Sequence, residues 1–295
     1  MNLNQEVLRL VILMQSVKKN DFCAIIGLMK IFDWEQIKRD IENDYTQSFF
    51  KTGCGISIGS FDGLHKGHRL LLTTLVENCK KDKILSGVVS FKRPLPSVKH
   101  SDDYKGDLST LNQRLKLFEN LGIDFAIIVD FDETFASLKG IEFLQMLVNS
   151  CNMKYIAEGI DFRCGYKGST DASSIKYFAE NNNIKFDFVE NVYYDNGTEK
   201  ERISSSYIRS IILKRFFSKA QDLLERPYSL EIQMQNDGYV FPKENILQAI
   251  PPEGVYQCLI NGTRTRVEIT STDIICGFED SQKFYKGDVF DIEFD

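Results

Sequence analysis

CGISIGSFDGLHKGHRLLLTTLVENCKK, residues 54–81, decides the fold. CGISIG (54–59) reads as a strand and HRLLLTTLVENCKK (68–81) as a helix, joined by a glycine-rich turn. Outward from this unit the alternation repeats. ILSGVVSF (84–91) is a second strand, and LSTLNQRLKLFENLG (108–122) is a helix with Ser109 or Thr110 as candidate cap and Gly122 as its stop. IDFAIIVDF (123–131) is a third strand; GIEFLQMLVNSC and DASSIKYFAENNN read as helices, MKYIAEG (153–159) and FDFVENVYY as strands. Upstream, MKIFDWEQIKRDIEN reads as a strand followed by an amphipathic helix. Strand and helix alternating at this spacing predict an α/β fold with a doubly wound parallel sheet. Ligands bind such sheets beyond the carboxyl ends of the strands, which directs attention to the loops after Gly59, Phe91, Phe131 and Gly159.

A chain of 295 residues suggests two domains at about 150 residues each. SSYIRSIILKRFFSKAQDLLERPY (205–228) reads as a helix that closes the first near Pro227. Beyond it, IQMQND, GVYQCLI, TRVEIT, DIICGF and DVFDIEF are short strands between polar turns, the pattern of a small β domain. The expected organisation is an extension over 1–28, a nucleotide-handling domain over 29–227 and a reduced β domain over 228–295. Met29 is a candidate natural start, with an ordinary N-terminal helix over the first residues as the alternative.

The 36 basic and 42 acidic residues leave a net charge of −6, which argues against broad affinity for nucleic acid or anionic membrane. Seven scattered cysteines form no CxxC pair and read as reduced thiols, hence a cytoplasmic protein. The N-terminal apolar stretches are far shorter than the ~20 residues that span a bilayer.

Only three histidines occur, and His65 and His68 stand one helical turn apart in GSFDGLHKGH (59–68), where a strand ends and a helix begins. Glycine permits the tight turn and close backbone approach, a helix N-terminus favours anions, and two imidazoles can donate to phosphate oxygens. That is the equipment of phosphoryl or nucleotidyl transfer, where positioning and charge stabilisation do most of the catalysis. A surface histidine pair is the plainer alternative. Zinc ligation lacks a third ligand and an HExxH pattern.

GSFDGLHKGH resembles the GxFDGxHxGH signature of the flavin-specific branch of the HxGH nucleotidyltransferases, the FAD synthetase module of bifunctional riboflavin kinase/FAD synthetases. The resemblance continues in order. LSTLNQRLKLFENLGID (108–124) is similar to that family's helix and Gly-Asp turn, and FDETFASLKGIEFLQMLV (131–148) to FxxxFAxLSxxEFxxxxL. AEGIDFRCGYKGS (157–169) resembles GxDFRFGxxxxG, and ERISSSYIRSII (201–212) resembles RxSSTxIRxxL.

The resemblance implies an FMN adenylyltransferase that makes FAD and pyrophosphate from FMN and ATP with Mg2+; the charge balance adds the expectation of no nucleic-acid or membrane partner. It implies that His65 and His68 bind the phosphates and stabilise the transition state, while Gly59, Ser60, Phe61, Asp62 and Gly63 lie against the nucleotide. Asp62 is expected as a turn or helix-cap residue, since an ionised phosphate nucleophile needs no base. Ser205 and Ser206 would offer donors at a helix start, Arg202 and Arg209 charge; an SSS triplet alone is more often an N-cap. Ser205 and Arg209 join the two histidines as implied catalytic residues. Asp161 falls where the family contacts substrate or Mg2+, with Phe162 and Arg163 beside it for a ring system; a loop anchored by a buried Phe is the alternative. The metal would bind mainly through ATP phosphates.

Three departures stand out. FKRPLP (91–96) replaces FxPHP, Cys164 stands where an aromatic is usual, and Lys243 in GYVFPKEN (238–245) replaces the Thr of a PTAN motif. PPEGVY (251–256) and FYKGDVFDIEFD (284–295) echo the kinase module, but residues 228–295 are fewer than that module needs, so riboflavin kinase activity is expected to be absent. Two other readings keep the fold: a nucleotidyltransferase with a different phosphate acceptor, and a non-catalytic flavin or nucleotide binder.

Overall fold

The computed structural model describes residues 25–26, 29–39, 44–95, 104–195, 197, 200–234, 239–278 and 284–295. The main sheet contains β1 (Ile25–Ile26), β2 (Met29–Asp33), β3 (Cys54–Ile58), β4 (Leu85–Phe91), β5 (Phe125–Val129), β6 (Met153–Gly159) and, later in the chain, β9 (Lys185–Val189). Its order is β1-β2-β5-β4-β3-β6-β9. All pairings are parallel except that of β1 with β2. β3 and β5 are buried at every position because helices cover both faces.

On one face lie α3 (Lys66–Asp82) and α4 (Leu111–Asn120), which bury Leu72, Leu75, Leu115 and Phe118. On the other, α1 (Trp34–Arg39), α6 (Gly140–Cys151) and α7 (Ala172–Asn181) bury Trp34, Leu144, Leu147 and Ile175; α2 (Asp44–Phe49) and a short α5 (Glu133–Ser137) complete the unit. The chain runs outward from β3 through β4 to β5, then returns to the other side of β3 as β6. The sheet therefore changes direction between β3 and β6, where Gly59 and Gly159 begin their loops.

Two hairpins, β7 (Arg163–Cys164) with β8 (Thr170–Asp171) and β10 (Tyr193–Asp195) with β11 (Lys200–Arg202), extend this end of the molecule. The second sheet is antiparallel: β12 (Tyr228–Gln233), β13 (Val240–Pro242), β14 (Gly254–Ile260), β15 (Thr263–Ile269), β16 (Asp273–Gly277) and β17 (Val289–Phe294), in the order β12-β17-β14-β15-β16-β13. Burial alternates along β12, and the inward residues share one cluster with helices α8 (Ser205–Ile212) and α9 (Phe217–Leu224). Phe217 stacks on Phe294 with ring centroids 5.1 Å apart.

Three local expectations change. Residues 205–228 form two helices rather than one, interrupted at Arg215 with φ +64°. FDFVENVYY divides between β9 and β10, which leaves the main sheet to pair with β11. The helix α5 lies in a segment that periodicity did not mark. Apart from Ile25, Ile26 and the strand opening at Met29, the expectations for the N-terminal extension fall outside the described residues, as do Cys23 and His100. No helix among the described residues is long and apolar enough to cross a membrane.

Candidate active site

The loop after β3 is held in an uncommon conformation. Phe61 and Leu64 have φ of +48° and +40° although neither is glycine, and both are buried; Gly63 lies between them at +75°. Bulky residues in this region cost on the order of 1–3 kcal/mol each, so surrounding contacts must enforce the shape. The turn ends on His65, which is the N-cap of α3: its Nδ1 accepts the backbone N–H of His68 at 3.4 Å. That acceptor role puts the proton of neutral His65 on Nε2.

The two imidazoles stack, with centroids 3.8 Å apart and planes at 16°. His65 is buried, and burial first, then the charges of Arg202 and Arg226, bring its pKa down to about 4. His68 is also held well below the usual histidine range, by burial, by His65 and by Arg202; its Nδ1 is sealed from solvent with no hydrogen-bond partner. Burial and the neighbouring guanidinium groups thus favour the neutral form of both rings near pH 7. Phe61 meets His68 edge-on at 5.4 Å.

Asp62 does not cap the helix. Its Oδ1 accepts the N–H groups of Leu108 (2.8 Å) and Ser109 (3.1 Å), and its Oδ2 accepts from Arg209 at 2.8 Å, with both side chains buried. Burial raises its pKa to about 6 against the opposing pull of Arg209. Arg209 also donates to the Gly106 carbonyl at 2.6 Å and to the Tyr104 hydroxyl at 3.2 Å, so its guanidinium is engaged behind the loop. Ser205 donates its hydroxyl to the Asp62 carbonyl at 2.8 Å. Ser204 rather than Ser205 caps α8, and Ser206 is exposed.

Residues from separate motifs converge at the front. Arg202, at the end of β11, pairs with Asp161 at 2.5 Å, and its field reaches both histidines. Beside them a cavity of about 330 Å3 opens between Ile58 and Gly59 on one side and the 162–168 segment on the other. Phe91, Phe131, Phe135, Phe143 and Phe162 line it, with Arg163, which donates to the Gly168 carbonyl at 3.2 Å. An apolar, aromatic cleft of this volume suits a planar ring system. Among the described residues no cluster of three or more His, Cys, Asp or Glu could hold a metal.

Two buried ionisable side chains escaped the sequence. Arg114 donates from Nη1 to the Ser60 carbonyl at 2.9 Å and from Nη2 to the Lys92 carbonyl at 2.9 Å, tying the ends of β3 and β4 together. Glu158, near the end of β6, accepts the Ile58 N–H at 2.7 Å; burial pushes its pKa well above the carboxylate range. Arg114 left a signal, since it shares a face of α4 with Leu111, Leu115 and Phe118.

A family model described as FAD synthetase matches residues 48–207, more than half of the chain. The chain belongs to the FAD synthetase family. A bifunctional riboflavin kinase/FMN adenylyltransferase of Buchnera aphidicola is 34% identical over 177 residues, covering 59% of this chain and 55% of that protein, so the match spans about half of its length. The protein of the same description from Escherichia coli is 28% identical over 71% of this chain and 69% of its own. An FAD synthetase from Listeria monocytogenes is 25% identical over 74% of this chain and 87% of its own. Among solved structures, a macrolide-efflux protein from Streptococcus pneumoniae superimposes with a TM-score of 0.66 at 21% identity, over 82% of this chain and 92% of that one, a likeness of fold alone.

Within this FAD synthetase fold the departures acquire contacts. In FKRPLP, Arg93 forms a two-bond pair with buried Asp107 (3.0 and 3.2 Å), Lys92 pairs with Asp130 at 2.7 Å, and the Leu95 N–H donates to the Ser60 hydroxyl at 3.1 Å. Phe91 and Leu95 thus stay in the cavity wall. Cys164 lies in the same wall, its pKa pushed up to about 12 by burial. Lys243 donates its ammonium to the Thr270 carbonyl at 2.9 Å.

Proposed function

We propose that the protein is an FMN adenylyltransferase, converting FMN and ATP to FAD and pyrophosphate. The observation that supports the reading is that Gly59, which opens the histidine loop, also lines the aromatic cavity, so a ring bound in the cavity would extend its phosphate tail toward the histidines. An FMN phosphate oxygen attacks the α-phosphorus of ATP; the new P–O bond forms as the bond to the β-phosphate oxygen breaks and pyrophosphate leaves with that electron pair. The nucleophile is already ionised, so Asp62, committed to Arg209, is not asked for proton transfer.

The Nε2–H of His65 donates to the phosphates, and His68 takes up a proton as the polyanion binds, because nearby negative charge favours the imidazolium. A divalent metal, proposed to be Mg2+, would be held mainly by the ATP phosphates and would supply charge neutralisation there. Of the pair that Arg202 and Asp161 form, Arg202 would meet the phosphates and Asp161 would be the carboxylate to hold the metal that ATP carries. A cytoplasmic setting fits the six described cysteines, all free thiols. Riboflavin kinase activity is proposed to be absent, supported by Lys243 in place of a hydroxyl and bound to a backbone carbonyl.

The test is chromatography of flavins after incubating the purified protein with ATP, Mg2+ and FMN. FAD should form, and His68→Ala should slow it about 100-fold, the effect of losing one transition-state donor. Absence of FAD overturns the reading, and equal rates remove the role of His68. FMN formed from riboflavin would overturn the kinase clause.

A further inference from the structure

Three guanidinium groups reach the 59–64 loop from behind, each from a different element. Arg114 of α4 holds the Ser60 carbonyl and Arg209 of α8 holds the Asp62 carboxylate. Arg226, between α9 and β12, donates from Nη2 to the Gly63 carbonyl at 2.7 Å and from Nη1 to the Leu224 carbonyl at 3.1 Å. Arg226 belongs to no motif that the sequence reading singled out. Its backbone is fixed from the C-terminal side: Tyr228, two residues on, is buried and donates its hydroxyl to the Ala249 carbonyl at 2.7 Å.

The Gly63 carbonyl belongs to the peptide that leads through Leu64, at φ +40°, into the N-cap His65. Rotating that peptide would swing His65 relative to His68. A second tie runs in parallel. The Asp107 N–H donates to the Leu247 carbonyl and the Ala249 N–H to the Asp107 carbonyl, both at 2.8 Å, one residue before the amides that hold Asp62. Gly106 makes this approach possible, since a Cβ there would meet the Ala249 nitrogen at 2.6 Å.

We propose that Arg226 is a positioning residue for adenylyl transfer, fixing the Gly63–Leu64 peptide so that His65 keeps its place at the start of α3, and that through it the C-terminal sheet is a structural arm of the active site. The proposal rests on the adenylyltransferase reading for its kinetic arm and is independent of it for its spectroscopic arm. Misplacing a catalytic group by about 1 Å can cost on the order of 100-fold. In the full chain, Arg226→Met should therefore lower kcat about 10- to 100-fold with a change in KM for ATP below about threefold. Arg226→Lys, which retains charge and can donate one hydrogen bond to Gly63, should recover part of kcat. A role in stability alone would reduce the active fraction without that order of variants.

Independently of turnover, nitrogen NMR of the imidazoles should show neutral His65 protonated on Nε2 in the wild type, a preference weakened in Arg226→Met. Wild-type kcat and unchanged His65 signals in folded Arg226→Met overturn the proposal; if that variant does not fold, Arg226→Gln is read by the same criterion. Should the wild type make no FAD while the His65 signals still change, the functional reading fails and what stands is that Arg226 fixes His65 at the start of α3.

Discussion

Around the 59–68 loop, Asp62, His65, Asp107, Arg114, Glu158 and Arg209 are buried, each with hydrogen-bond partners. The interior of the C-terminal sheet is built from Leu230, Ile232, Ile260, Val267, Ile274 and Ile292, with Thr265 as a buried polar exception. Apolar burial is nondirectional and tolerates small adjustments, whereas a buried charge demands its partner in place. The first region therefore specifies geometry, and the second supplies a firm body against which that geometry is set.

The sharpest way to break this contrast is Asp62→Ala. It leaves the Arg209 guanidinium buried without its carboxylate, and two amides without an acceptor. A loss of about 3–5 kcal/mol is expected in urea unfolding; a loss near that of a surface substitution would show that these buried charges do not organise the loop.

Next comes pH. His65 has a folded pKa near 4 and an ordinary value of 6.5, so below pH 6.5 the unfolded chain binds a proton that the folded one refuses. Stability from this residue is fully present above pH 6.5 and declines as pH falls to about 4. Relative to His65→Gln, the wild type should lose on the order of 3 kcal/mol across that window, followed by urea melts at successive pH values. A pH-independent difference would mean that the His65 ring is not held neutral. Asp62, with its pKa raised to about 6, acts in the opposite sense, which is why the comparison is made against the variant rather than on the wild type alone.

In the second sheet, Ile292→Val should cost about 1 kcal/mol at either end of that pH range, because only hydrocarbon contacts are trimmed. The smallest effect is expected from Lys92→Ala: its pair with Asp130 is solvent-exposed, so the loss should stay below about 1 kcal/mol.

The alternation of strand and helix was legible because a parallel sheet covered on both faces writes itself as apolar strands between amphipathic helices. GSFDGLHKGH was legible because its glycines and paired histidines fall where a strand ends and a helix begins, in a pattern that resembles a known signature. The break at Arg215 was hidden, since LKRFFSK contains neither Gly nor Pro and the apolar period runs on across it. Asp62 was readable as a turn or helix-cap residue, and it lies in the turn, but its partners at 108, 109 and 209 come from distant elements that sequence spacing does not bring together. Glu158 and Arg226 were invisible for the same physical reason: an ionisable side chain is enclosed or exposed according to what the fold places beside it. The paired contact of Arg202 with Asp161 joins two motifs that sequence order keeps apart.

The central claim is transfer of the adenylyl group from ATP to FMN at the stacked histidines. It is tested most directly by incubating the protein with FMN, Mg2+ and ATP radiolabelled at either the α- or the γ-phosphate, then separating flavins from pyrophosphate. α-Label should appear in FAD and γ-label in pyrophosphate, with both signals strongly reduced in His68→Ala. Transfer of γ-label to a flavin, or no labelled FAD from the intact protein, would contradict it.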